Sequence, residues 1–173
     1  MAIAAKLRPR LRRVRLLALD LDGVLTDGGL YYTDAGEEMR KFNAKDGLGL
    51  KMVMERGIEV AIITSSTSPA IGHRAARLRI RHLSLGTWDK LKALTEICAK
   101  LGIDLAETAY VSDDVNDMKV LKAVGMPIAV GDAVAEVRRA AALVTKAAGG
   151  KGAVREVCDL LLTAAPNRRP GKS

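Results

Sequence analysis

Residues 16–27, LLALDLDGVLTD, decide how this chain is read. Leu16, Leu17, Ala18 and Leu19 form a short continuous apolar run, as in a parallel strand buried on both faces. Asp20 follows where such a strand ends, and open α/β sheets bind ligands at that edge. Asp22 stands two residues on, and Gly23 permits a tight turn. Two carboxylates at this spacing can point into one cleft and share one hard cation. One can attack phosphorus and the other can protonate the leaving oxygen. A bare pair of this kind is usually a solvated strand end, but the string D-x-D-G-V-L-T-D is far more specific.

Outward from that stretch, β-rich runs alternate with helical ones, the pattern of an α/β protein with a parallel sheet. Strands are expected at 16–19, 60–63, 109–111, 128–130 and 143–144, with a short one at 81–83. Helices are expected at 47–56, 69–78, 90–101, 114–124, 134–140 and 152–162. In 90–101, Leu91, Leu94, Ile97, Cys98 and Leu101 recur at helical spacing, so one face enters the core. Gly57, Gly102 and Gly125 follow three of these helices as stop signals. The insert 26–43 reads as a β-hairpin turning around 33–36. The expectation is one domain over 14–165, between a basic flexible arm, 1–13, and a flexible tail, 166–173.

The motif at 20–27 resembles the first signature of the haloacid dehalogenase superfamily, whose phosphatases use the first Asp as nucleophile and the second as acid/base. The later signatures follow in order. VAIIT ends in Thr64, which the resemblance places on the phosphoryl group. Lys90 would neutralise phosphate charge. AYVSDDVND supplies Asp113, Asp114 and Asp117. Asp20, the backbone carbonyl of Asp22, and Asp113 would hold Mg²⁺, a cation that takes oxygen ligands and keeps several waters. Asp114 and Asp117 would orient those ligands or the lysine.

The insert is too small for a cap domain. The fold class implied is therefore α/β, a Rossmann-like parallel sheet flanked by helices, with a hairpin after strand one and no cap. Capless relatives are usually homotetramers in which a neighbouring subunit closes the site. Within that branch, DGVLTDGGLYY, FNAKDGLGLKM and AGGKGAVREVCDLLL resemble the phosphatases of 3-deoxy-D-manno-octulosonate 8-phosphate, over about 14–162. The substrate loop maps onto Asn43, Ala44, Lys45, Asp46 and Gly47, with further contacts at Lys51, Ser66 and Arg74. Cations suit a sugar acid that carries both a carboxylate and a phosphate. The glycine-rich segment 149–152 is a plausible substrate cover.

Two departures stand out. The family reads Thr-Gly-Arg after its second signature strand, whereas this chain reads Thr64-Ser65-Ser66. Ser66 can hydrogen-bond but cannot neutralise a carboxylate. Ser112 also stands where glycine is commoner. Two alternatives therefore stay open: a phosphatase of a nonulosonate 9-phosphate, and a non-catalytic tetramerisation domain.

Bulk properties agree with a folded domain of ordinary size. The chain has 173 residues, 49% of them hydrophobic and only 3% aromatic, so Leu, Val, Ile and Ala must make the core. No apolar run is long enough to cross a bilayer, and the basic start lacks the apolar stretch of a secretory signal. The net charge of +8 is concentrated at the two ends. Without interleaved aromatics it argues weakly for nucleic acid, and it favours encounter with an acidic small molecule. Cys98 and Cys158 lie in apolar helical patterns and read as free thiols of a cytoplasmic protein.

Overall fold

The computed structural model describes residues 5–165. Its main sheet has six parallel strands in the order β5-β4-β1-β6-β7-β8. These are β1 (Leu16–Leu19), β4 (Glu59–Ile63), β5 (His82–Ser84), β6 (Thr108–Ser112), β7 (Met126–Ala129) and β8 (Leu143–Val144). The chain runs outward through β4 and β5, then returns to the other side of β1. The strand order therefore reverses at β1, where doubly wound sheets open a ligand crevice. All four side chains of β1 are fully buried.

Among the described residues there are seven α-helices, five of them between strands of the main sheet: α1 (Arg8–Arg13), α2 (Ala44–Glu55), α3 (Pro69–Leu78), α4 (Lys90–Leu101), α5 (Met118–Ala123), α6 (Ala135–Ala140) and α7 (Ala153–Ala164). The α4 boundaries follow from local chemistry. The Asp89 carboxylate caps the start by accepting from Lys92 N at 3.1 Å, and Gly102 ends the helix at φ 60°. The insert forms the expected hairpin, β2 (Tyr31–Tyr32) against β3 (Glu38–Met39), with Gly36 in its turn at φ 81°.

Two expectations needed correction. Residues 8–13 are not a loose arm: they form α1, whose Leu11 is 2% exposed and packs into the core, with α1 lying against α7. One apolar residue among the arginines anchors that segment, and Arg10 grips the Gly125 carbonyl at 2.6 Å. The stretch 114–124 is not one continuous helix, because a 3₁₀ turn at Val115–Asp117 precedes α5. The expected tail, 166–173, lies outside the described residues, as do residues 1–4.

Candidate active site

Parallel pairing sets the depth of each functional side chain. Leu19 pairs with Ile62 of β4 and Val111 of β6. Asp20 therefore emerges beside Ile63 and Ser112, one residue short of Thr64 and Asp113. All three reach the same sheet edge from adjacent strands.

Lys90, the first residue of α4, turns inward and is 3% exposed. Its Nζ lies 2.8 Å from Asp20 Oδ2 and 2.8 Å from Asp117 Oδ1. Asp20 Oδ1 accepts from Leu21 N at 2.7 Å. Asp117 is fully buried. Asp113 is partly buried, with its carboxylate pressed against Gly23. A Cβ on Gly23 would lie 2.0 Å from Asp113 Oδ2, and Gly23 has φ +75°, so both contact and backbone require glycine.

The electrostatics are those of an acid cluster short of positive charge. Burial, then the nearby Asp117, raises the Asp20 carboxyl from 3.8 to about 7 against the pull of Lys90. Burial raises Asp113 to about 6, with Asp114 and Asp117 adding to it. For Lys90, burial acts downward, but Asp20 and Asp117 outweigh it and its pKa rises. Tyr110 lies buried behind the cluster, its pKa pushed well upward by burial and by the charges of Asp117 and Asp20. Oxygen donors that lack a counter-charge suit a hard divalent cation. Among the described residues no three His, Cys, Asp or Glu side chains converge as ligands. The expected set needs only two carboxylates, Asp20 and Asp113, with the Asp22 carbonyl, and this arrangement fits it.

Thr64 is buried, and its Oγ1 accepts from Ser66 N at 3.1 Å, leaving its own proton to donate. Asp22 is held by a residue that the sequence did not single out. Arg40, just past β3, bonds its Oδ1 through Nε at 2.9 Å and its Oδ2 through Nη2 at 3.2 Å. The same Nη2 bonds Ser66 Oγ at 2.9 Å, and Nη1 pairs with Glu38. Strand periodicity held a signal for this, since Glu38 and Arg40 share one face of the hairpin. Thr26 was also missed. Fully buried, its Oγ1 donates to Asp22 at 3.4 Å and accepts from Gly23 N and Gly28 N.

The expected substrate residues divide. Ala44, Lys45 and Lys51 are exposed, and Ser66 sits at the mouth beside Arg40. Asn43 is engaged in structure: its Oδ1 caps α2 through Lys45 N, and its Nδ2 reaches Gly150 O at 3.1 Å. Arg74 stacks over Phe42 and donates to the Asn43 carbonyl at 3.0 Å. Gly47 leaves room for that guanidinium, because a Cβ there would lie 2.4 Å from Arg74 Nη2. Asp46 is 1% exposed and faces α7 instead of the cleft, accepting from Arg155 N at 2.7 Å as a helix cap supplied by another element. Asp114 is exposed and turns its carboxylate to Val115 N, whereas Asp117 reaches Lys90 directly. The 149–152 segment packs under the nucleophile loop of its own chain. Gly150 N bonds Val24 O at 3.0 Å, and a Cβ on Gly149 would collide with the Gly23 carbonyl.

Comparison with known proteins places this geometry. Residues 78–157 match the family model of the haloacid dehalogenase-like hydrolases. The 3-deoxy-D-manno-octulosonate 8-phosphate phosphatase of Escherichia coli is 44% identical over 162 residues, covering 94% of this chain and 86% of that one. The Salmonella typhimurium phosphatase of the same name is 47% identical over 151 residues, covering 87% of this chain and 80% of that one. Among solved structures, the Yersinia pestis phosphatase superposes with a TM-score of 0.93 at 41% identity, covering 95% of this chain and 89% of that one. The Moraxella catarrhalis enzyme, in complex with magnesium, phosphate and the eight-carbon sugar acid, gives 0.92 at 39% identity, covering 95% of both chains. This chain therefore belongs to the haloacid dehalogenase superfamily, in its capless branch, and there to the family of the 3-deoxy-D-manno-octulosonate 8-phosphate phosphatases.

Proposed function

We propose that this protein hydrolyses 3-deoxy-D-manno-octulosonate 8-phosphate to the free sugar acid and phosphate, a step of lipopolysaccharide precursor synthesis. The observation that carries the reading is the convergence of Asp20, Thr64, Lys90 and Asp113 at one sheet edge, with Asp22 two residues from Asp20. The carboxylate of Asp20 attacks phosphorus, the phosphorus–oxygen bond to the sugar breaks, and Asp22 gives its proton to the leaving oxygen. Water then attacks the aspartyl-phosphate as Asp22 takes back a proton, and phosphate leaves with Asp20 restored. Lys90 and the Thr64 hydroxyl hold the phosphoryl oxygens throughout. Asp20, the Asp22 carbonyl and Asp113 are the residues that would hold Mg²⁺, which supplies positive charge beside the phosphoryl group and keeps Asp20 ionised.

The homotetramer is part of the same proposal, with a neighbouring subunit closing the site. Its support is the apolar surface of the hairpin, where Leu30, Tyr31, Tyr32 and Met39 are exposed, together with Trp88 at 80% exposure. Two buried free thiols, Cys98 and Cys158, support a reducing cytoplasm. No helix among the described residues is long and apolar enough to cross a membrane.

The test is phosphate release from a panel of sugar phosphates with Mg²⁺, repeated with Asp20→Asn. Turnover of the eight-carbon acid phosphate that Asp20→Asn abolishes supports the assignment. Faster turnover of a nine-carbon acid phosphate would move the substrate to the nonulosonates. No Mg²⁺-dependent release from any substrate would leave an assembly domain.

A further inference from the structure

Arg40 is a buried cation in an unusual position. Its side chain is only 3% exposed, although it sits at the end of a two-residue hairpin strand. Its fork is shared between Asp22 and Ser66, with Glu38 behind it. Both oxygens of Asp22 accept from Arg40, so the guanidinium competes with a leaving oxygen for a carboxylate that keeps 36% exposure. A proton donor held in this way is freer to act once that fork is drawn elsewhere.

The substrate class offers the means. A phosphorylated sugar acid carries a second anion, and a guanidinium pairs with carboxylates through two parallel bonds. A carboxylate arriving beside Ser66 meets the same nitrogen, Nη2, that bridges Ser66 and Asp22. We propose that Arg40 is the specificity-determining residue: it exchanges Asp22 for the carboxylate of the substrate, so that binding a sugar acid frees Asp22 for catalysis. The proposal rests on the sugar acid phosphatase reading above. It makes the hairpin a discriminator between phosphorylated acids and phosphorylated alcohols, since an alcohol phosphate cannot draw Arg40 away.

The experiment compares wild type, Arg40→Met and Arg40→Lys on 3-deoxy-D-manno-octulosonate 8-phosphate and on glycerol 3-phosphate, with Mg²⁺. For Arg40→Met, kcat/KM on the sugar acid phosphate should fall about 30-fold, mostly through KM, the loss of one charge-assisted pair. On glycerol 3-phosphate it should rise several-fold, because Asp22 is unclamped. Arg40→Lys should restore part of the sugar acid activity. Calorimetry of the free sugar acid should show binding weakened to a similar degree in Arg40→Met. An equal fall on both substrates would make Arg40 a strut for Asp22 and overturn the proposal, as would no change on either. If Arg40→Met melts early, Arg40→Gln carries the same comparison. Wild-type turnover tests the substrate reading separately, since the Arg40 result is a ratio between variant and parent.

Discussion

Replacing the nucleophile should make the metal-free protein more stable. Asp20 is buried beside Asp117, and its carboxyl rises from 3.8 to about 7 on folding despite Lys90 at 2.8 Å. Between those values the folded state holds a proton that the unfolded chain has lost, so stability from this group is complete below about pH 4. It declines as pH rises and is fully lost above 7. At 1.4 kcal/mol for each tenfold change, the ionised form at pH 8 costs ~4 kcal/mol. Asp20→Asn removes that charge while its carbonyl oxygen still accepts from Leu21 N. Against this, the new amide N–H groups need partners, an opposing cost of about 1–2 kcal/mol. The net expectation is about 2 kcal/mol, or ~4–8 °C in Tm for a chain of this size. The assay is thermal melting in chelator at pH 8 and again at pH 4.5, where the difference should nearly vanish. A variant less stable than its parent at pH 8, or a difference that does not change with pH, would show that Asp20 is not under this strain.

Four other outcomes follow from the same geometry. Lys90→Met leaves Asp20 and Asp117 buried without their cation, and should cost about 3–5 kcal/mol at pH 8 and less at pH 5, with kcat/KM down by ~100-fold or more; melting curves and kinetics check both. Gly23→Ala forces Asp113 from its seat, and should weaken Mg²⁺ binding by about 10–100-fold, measured by calorimetry, while the fold survives. Asp46→Ala should lower stability by ~1–2 kcal/mol through the lost α7 cap without moving KM, and a raised KM would return Asp46 to the substrate. Because Asp20 and Asp113 must shed protons at about 7 and about 6, Mg²⁺ affinity should climb between pH 5.5 and 7.5 and level off above, and a flat titration would refute it.

The sheet was legible because its signals are local. An apolar run ending in Asp, and another ending in Thr, announce strands and their active edge in a few residues each. The caps of α4 are written as Asp89 and Gly102, so its bounds came out as expected. What the sequence hid depends on distance along the chain. Arg40 lies 18 residues from Asp22 and 26 from Ser66, and in EEMRKF it reads as one more charge on a solvated hairpin. Asp46 stands in the substrate-loop motif, but its partner is a backbone amide of α7, 109 residues away. α1 stayed hidden for a related reason: four arginines outweigh Leu11 in composition, whereas one buried leucine decides where the segment packs.

The site is held together by interactions that are costly unless occupied. Asp20, Asp113 and Asp117 face a single lysine, and Asp22 is tied to an arginine from the hairpin. Both arrangements suit an enzyme for a doubly anionic substrate. The carboxylates lack a cation where the phosphoryl group must be met, and Arg40 brings a guanidinium to the side of the cleft where a second anion would arrive. The serine at position 66 then matters less as a missing cation than as an opening. The Ser66 hydroxyl accepts from Arg40 Nη2 at 2.9 Å, so a longer side chain pointing the same way would meet the guanidinium that reaches Asp22. On that reasoning the unusual Thr64-Ser65-Ser66 sequence and the buried arginine are one feature, assembled from two sides of the cleft.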